Sequence, residues 1–360
     1  MEELVIRREY WAGKRVLVTG HTGFKGSWLA LWLASLGARV SGYALGPATD
    51  PSLWSLLGLA GQMQAVTADV RDLGAVTRAF AELRPQTVFH LAAQSLVRPS
   101  YEDPVATYAT NVMGTVHVLE AARRCEETQA VVIVTSDKCY ENRESNQAYR
   151  ETDPMGGHDP YSSSKGCAEL VTAAYRASFF DAAKGAAAIA SARAGNVIGG
   201  GDWAADRIVP DIVRAVRRGE PVRVRNPHAI RPWQHVLEPL SGYLLLAERL
   251  CEKPAEFAGA WNFGPSDSDA VSVEAIVTAI VRLWGPPASW ARDGQPHLHE
   301  ASFLKLDSSK ARASLGWKPR LGLETALDWT VQWYKAHAQG GNAKAASLAQ
   351  IERYMELASR

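Results

Sequence analysis

In Pro160-Tyr161-Ser162-Ser163-Ser164-Lys165 a phenol and an ammonium stand four residues apart, so on a helix both leave one face and enter one cavity. A phenol with a reference pKa near ~10 is a poor base at neutral pH. An ammonium about 4 Å away, at an effective dielectric of ~20, favours the phenolate by roughly 4 kcal/mol, or about three pK units. The spacing therefore predicts a tyrosine that works as a base in the neutral range. A second polar set, Ser136-Asp137-Lys138, closes the apolar run Ala130-Val131-Val132-Ile133-Val134. In an open α/β sheet, ligands collect at the carboxyl ends of such strands.

A third group is backbone chemistry. The run Val16-Leu17-Val18-Thr19 leads into Gly20, Gly23 and Gly26, spaced three apart, and then into the apolar stretch Trp28 to Leu33. A strand, a glycine turn and a helix in that order let the backbone approach a pyrophosphate, and the helix start offers it unpaired N–H groups.

Elements must position these groups. A second strand is expected over 38–44, a third over 64–72 ending in acid, a fourth over 87–93, a fifth over 130–138 whose end turns polar, and a sixth over 187–193. Helical segments lie between them, one from about Pro104 to Glu120 with proline in its first turn and one from Tyr161 through about Phe180. Asp69 stands where an adenine amino group can be read, or where it caps the helix that follows. His90 reads as a packed strand residue. The end of the second strand offers Gly42, Tyr43 and Ala44 with no acid before Asp50, where a dinucleotide fold usually presents Asp or Glu to a ribose. That absence predicts loose cofactor retention.

The 360 residues are 47% hydrophobic and 21% charged, and 39 Lys plus Arg balance 38 Asp plus Glu at a net +1. This excludes a long-range pull on nucleic acid or anionic lipid. Four cysteines lack metal-ligand spacing and a compact disulfide pattern, so no metal site and a reduced, cytoplasmic setting are expected. The start, Met1-Glu2-Glu3-Leu4, reads as no signal peptide, and no stretch reads as a membrane span. Twelve tryptophans spread over the chain read as packing residues rather than sugar platforms.

Together, the glycine turn on strand one, the small residues ending strand four, Ser136 ending strand five and Tyr161/Lys165 on the next helix resemble the extended short-chain dehydrogenase/reductase family. The stretches Thr-Ser-Asp-Lys-Cys-Tyr-Glu-Asn, Asn196-Val197-Ile198-Gly199-Gly200-Gly201-Asp202-Trp203 and Arg231-Pro232-Trp233-Gln234-His235-Val236 narrow the resemblance to its nucleotide-sugar dehydratases. The fold this implies is a Rossmann-like, doubly wound parallel α/β sheet with a smaller mixed α/β carboxyl-terminal substrate region. Residues 1–192 would bind NAD and 193–360 mainly the nucleotide sugar, with segments free to cross back.

The resemblance also implies roles. NAD would rest on Gly20, Thr22, Gly23, Phe24, Lys25 and Gly26, on Asp69 and Val70, on Leu91, Ala92 and Ala93, on Thr110, and on Tyr161 and Lys165. Ser136, Asp137, Lys138, Tyr161 and Lys165 would be catalytic, with Asp137 the candidate acid of a redox-neutral dehydration of CDP-glucose. Related dTDP-glucose dehydratases have glutamate where Lys138 stands. A lysine must be desolvated to act as base there, or stay charged and stabilise an enolate. Ser95, Asn196, Arg207, Arg225, Arg231 and His235 would meet the substrate, and Arg223 joins the local basic cluster. A homodimer or larger assembly through the helices near 104–120 and 161–180 is expected. Another nucleotide-sugar dehydratase or epimerase of the family, and a non-catalytic nucleotide-binding regulator, remain alternatives.

Overall fold

Hydrophobic residues alternate across the strands in a way that demands cover on both faces. Val16 and Val18 join one buried cluster while Leu17 joins another, and Val132 and Val134 part from Val131 and Ile133 in the same manner. Each such side chain, fully buried, contributes roughly 1.5–3 kcal/mol. The computed structural model describes residues 6–144, 147–181, 185–294 and 303–358; the chain start read above for a signal peptide lies outside them. Among the described residues the strands are β1 (Arg15–Thr19), β2 (Arg39–Ala44), β3 (Gln64–Thr67), β4 (Thr87–His90), β5 (Ala130–Val134), β6 (Ala188–Ala194), β7 (Asn196–Ile198), β8 (Val222–Val224), β9 (Ile230–His235), β10 (Gly259–Phe263), β11 (Ala270–Ser272) and β12 (Trp290–Arg292).

Seven of these form one sheet in the order β10-β6-β5-β4-β1-β2-β3, every pair parallel. The sheet is doubly wound, as expected. Its order reverses at β1, which pairs with β2 on one side and β4 on the other, and a crevice opens beyond the carboxyl ends at such a point. The chain does return: β10 pairs with β6, Trp261 opposite Ala192. The three-stranded β11-β9-β7 and two-stranded β12-β8 sheets supply the other side of the crevice.

The helix Phe24–Ser35 is buried nearly all round. Part of its cover is the helix Ala343–Ala358, whose Tyr354 ring lies 5.7 Å from that of Trp32. The segment after Gly340-Gly341 is therefore a docked helix. Ten of the twelve tryptophans are buried, which makes them packing residues. No helix among the described residues is long and apolar enough to cross a membrane.

Several elements differ from the sequence reading: the fourth and fifth strands end early, at His90 and Val134. The third strand ends at Thr67, and the helix Leu73–Leu83 is capped by Asp72, whose carboxylate accepts from the Ala75 N–H at 2.9 Å; Asp69 pairs instead with Arg71 at 2.6 Å. The single helix expected over 104–120 is Pro104–Tyr108, a π turn over Ala109–Met113, and Gly114–Arg123. Such a turn inside a helix often marks a functional site. Here it carries Thr110 to the crevice and turns Asn111 inward, whose Nδ2 donates to the Gln94 carbonyl at 2.9 Å and to Ser164 Oγ at 2.8 Å.

Candidate active site

The tyrosine helix, Pro160–Phe179, starts where its sequence dictates. Asp159 accepts from the Ser162 N–H at 2.9 Å, and Pro160 occupies the first turn. Tyr161 and Lys165 are both buried and line one cleft of about 660 Å³. Ser136 reaches it from the end of β5 and hydrogen-bonds the Tyr161 phenol. Its hydroxyl donates to Asp137 Oδ1 at 2.9 Å and accepts from the Lys138 N–H at 3.2 Å, which sets the short turn Asp137–Cys139. The other oxygen of Asp137, Oδ2, is buried without a protein partner. Gly195, between β6 and β7, keeps this space open: a Cβ there would lie 2.5 Å from the Pro232 ring and 3.2 Å from Oδ2.

The electrostatics correct one expectation. Lys165 does not bring the phenol into the neutral range. Burial pushes Tyr161 up to about 12, Ser136 and Arg207 work against that, and Asp137 adds to it. Lys165 is itself pulled down to about 8 by burial, with Glu169 and Cys139 opposing. Desolvation of both partners, invisible to a spacing argument, outweighs the attraction assumed between them.

The glycine turn has the shape a pyrophosphate needs. Gly20 has φ +75°, and a Cβ on it would come within 2.7 Å of the Ala92 nitrogen. A Cβ on Gly26 would sit 2.1 Å from the Gly20 carbonyl oxygen. Gly23, the residue before the helix, gives its N-terminus no side-chain cap, so the first N–H groups stay available. Thr22, Phe24, Lys25, Asp69, Val70, Leu91, Ala92, Ala93 and Thr110 line the same cleft. Lys25 is pulled down to about 7, chiefly by burial, with Lys165 and Arg207 acting in the same direction and Asp137 opposing. Beyond β2 the lining is Leu45, Gly46, Ala48 and Thr49, without Asp50. A dinucleotide fits this donor set and shape.

Ser95, Asn196, Arg207, Arg223, Arg225 and Arg231 also line the cleft. Arg207 donates to Ser95 Oγ at 2.9 Å and pairs with Asp202 at 3.0 Å. Arg225 and Arg98 both reach Asp206 Oδ1, at 2.8 and 3.2 Å. His235 is a correction: it does not reach the cleft. Its ring is fully buried between Trp28 and Trp329, with centroids at 6.2 and 5.7 Å, and burial pulls it down to about 3. Alternation puts Arg231, Trp233 and His235 on one face of β9; the first two line the cleft, while His235, at the end of the strand, packs among the tryptophans.

A family model described as GDP-mannose 4,6 dehydratase matches residues 17–281. The CDP-glucose 4,6-dehydratase of Salmonella typhimurium is 54% identical over 99% of this chain and 100% of its own. The chain belongs to the GDP-mannose 4,6 dehydratase family. Among solved structures, the UDP-glucose 4-epimerase of Thermus thermophilus in complex with NAD superposes with a TM-score of 0.76 at 26% identity, covering 89% of this chain and 99% of that one. DesIV, a dTDP-glucose 4,6-dehydratase from Streptomyces venezuelae with NAD bound, gives a TM-score of 0.74 over 91% of this chain and 98% of that one; at 23% identity it speaks for the fold alone.

In this member of the GDP-mannose 4,6 dehydratase family the sequence reading missed Asp202, which pairs with Arg207, and Asp206 with Arg98, which meet beside Arg225 in the cleft lining. Asp202 stood inside a quoted glycine-rich stretch and could have been taken from it. Arg98 and Asp206 are far apart in sequence and carry no local signal.

Proposed function

We propose that this chain is an NAD-dependent CDP-glucose 4,6-dehydratase. The observation that carries the reading is the unpartnered, buried Asp137 carboxylate oxygen beside the Ser136–Tyr161 hydrogen bond, in one cleft with the glycine turn. The 54% identity to a CDP-glucose 4,6-dehydratase over nearly the whole chain supports the substrate.

Bound NAD would supply a hydride acceptor at C4 and a hydride donor at C6 and would end unchanged. The glycine turn, Asp69, Val70, the Leu91–Ala93 strand end, Thr110 and Lys165 would hold it. Tyr161 takes the proton of the sugar's C4 hydroxyl while Ser136 hydrogen-bonds the same oxygen. A ketone at C4 acidifies the C5–H. Lys138 faces that step as base or as a charge stabilising the enolate, and Asp137 gives a proton to the C6 hydroxyl, which leaves as water. Arg207, Arg225 and Arg231, with Asn196 and Ser95, receive the nucleotide sugar, since guanidinium groups stay charged and grip phosphate bidentately.

The working unit is a homodimer, supported by apolar side chains left exposed on the helices named for it: Val105, Tyr108, Met113, Leu170 and Phe179. Its setting is the cytoplasm, in keeping with four free cysteines. Residues 1–192 act mainly on NAD and 193–360 on the sugar nucleotide, with β10 completing the first part's sheet. The test is incubation with CDP-, dTDP- and GDP-hexoses plus NAD, followed by mass spectrometry. Loss of one water, fastest from CDP-glucose, is expected. An isomer of unchanged mass would mean an epimerase, and binding without turnover a regulator.

A further inference from the structure

One buried ion pair clamps the catalytic turn at both ends. Glu169 and Arg193 meet at 2.7 Å, with side chains only 4% exposed on each side. Glu169 lies one turn beyond Lys165 on the tyrosine helix and also accepts from Thr135 Oγ1 and from Ser191 Oγ, the latter at 2.6 Å. Thr135 immediately precedes Ser136. Arg193 donates to the Tyr140 hydroxyl at 2.7 Å, and Tyr140 immediately follows the turn Asp137–Cys139. Tyr140 in turn donates to Asn262 Oδ1 at 2.7 Å, and Lys165 Nζ approaches the carbonyl of Val134 at 3.5 Å. The strand end and the helix are thus tied at successive residues, Val134 to Lys165 and Thr135 to Glu169.

A buried pair replaced by apolar groups often leaves stability unchanged or improved, so packing alone does not account for charges here. We propose that Glu169 is a positioning residue for this reaction: its carboxylate keeps the Lys165 ammonium charged and fixes the strand end that carries Ser136. The groups facing Lys165 are Lys25 from the glycine-turn helix, His90 from β4, Cys139 from the turn and Glu169 from its own helix. His90 is neutral, burial holding it at about 3, and burial pushes the Cys139 thiol up, so it stays protonated. Lys25 repels. Glu169 is then the one carboxylate among them, and its own charge is held by Arg193, with Arg176 also facing it. It touches neither the sugar wall nor the glycine turn, and acts only through Lys165 and Ser136.

The inference rests on the proposed function for its kinetic part, and a binding measurement separates the two. NAD affinity of the whole protein is followed by tryptophan fluorescence against pH, alongside kcat and KM for CDP-glucose, in the parent chain and in Glu169→Gln, Glu169→Asp and Thr135→Val. In the parent, affinity falls near pH 7, where Lys25 loses its proton, and again as pH rises through about 8, where Lys165 does. In Glu169→Gln the Lys165 limb moves down by about one pH unit in both NAD affinity and kcat, the effect of removing one nearby opposite charge, while KM for the sugar changes less than about twofold. Glu169→Asp and Thr135→Val keep the charge, so their limb stays in place while kcat falls roughly 3- to 10-fold from lost registration. Should Glu169→Gln fail to fold, Glu169→Gln/Arg193→Met removes both buried charges and is read in the same way. A folded Glu169→Gln variant whose NAD limb has not moved overturns the proposal. A parent chain that binds NAD with that limb but releases no water overturns the function instead, and leaves the binding result standing.

Discussion

At the residue scale the proposed chemistry rests on a phenol pushed up to about 12 by burial. In that reaction the tyrosine must lose its proton for the first step, so Tyr161→Phe should abolish C4 oxidation and water loss together. Residual dehydration above a few per cent of the parent rate, measured by mass spectrometry, would mean that another group takes the C4 proton. Lys138 separates the steps. It is half-buried at the turn and lines the cleft, so Lys138→Ala should spare reduction of NAD on mixing with CDP-glucose, read at the NADH absorbance, while slowing release of water at least ~10-fold, a typical loss for one proton-transfer group. Equal loss in both steps would make Lys138 structural. The identities of Ser136, Tyr161 and Lys165 were legible from spacing. Their proton affinities were not, because a pKa depends on the burial that only packing creates.

At the element scale the glycine turn and the helix Leu237–Glu252 each give a measurable consequence. The Cβ of Gly26→Ala would press on the Gly20 carbonyl oxygen, so loop and helix must part. Overpacking of this kind costs typically about 1–3 kcal/mol, and a lowered unfolding midpoint with weakened NAD binding is expected in a denaturant titration. Glu238, near the start of the helix Leu237–Glu252, is fully buried and accepts from the Arg320 and Leu321 N–H groups at 2.9 and 2.6 Å and from the Tyr354 hydroxyl at 2.8 Å. Burial pushes it up to about 7. A carboxyl whose folded pKa is raised contributes stability that is fully present below its unfolded pKa and is lost as pH rises through about 7. Glu238→Gln should therefore flatten the fall in melting temperature between acid and mildly alkaline pH; an unchanged slope in a thermal scan would show that Glu238 does not titrate there. The strand-turn-helix was readable because its signal is local. The π turn at Ala109–Met113 was not, since its reason is the contact of Asn111 with Gln94 and Ser164, far away in the chain.

At the scale of the whole molecule, Leu170, 60% exposed, and Val105, 77% exposed, sit on helices proposed to meet a second copy. Leu170→Asp with Val105→Asp should halve the mass seen by light scattering, and a parent chain that is already monomeric would remove the homodimer. The cleft lining beyond β2 lacks an acid for the ribose, so the protein should purify largely without NAD, checked by its absorbance ratio and by stimulation on adding cofactor. The sequence alone determined the strands and helices, the glycine turn and the serine, tyrosine and lysine of the cleft, because each is written in short-range periodicity and spacing; the doubly wound sheet followed from the family those motifs resemble. Tertiary structure decided what spacing cannot encode: that His235 turns into a tryptophan-lined core, that Arg98 and Arg225 converge on Asp206, and that Glu169 and Arg193 clamp the turn Asp137–Cys139. Those outcomes depend on which distant segments share a buried volume, and burial sets both the partner and the charge of each group it encloses.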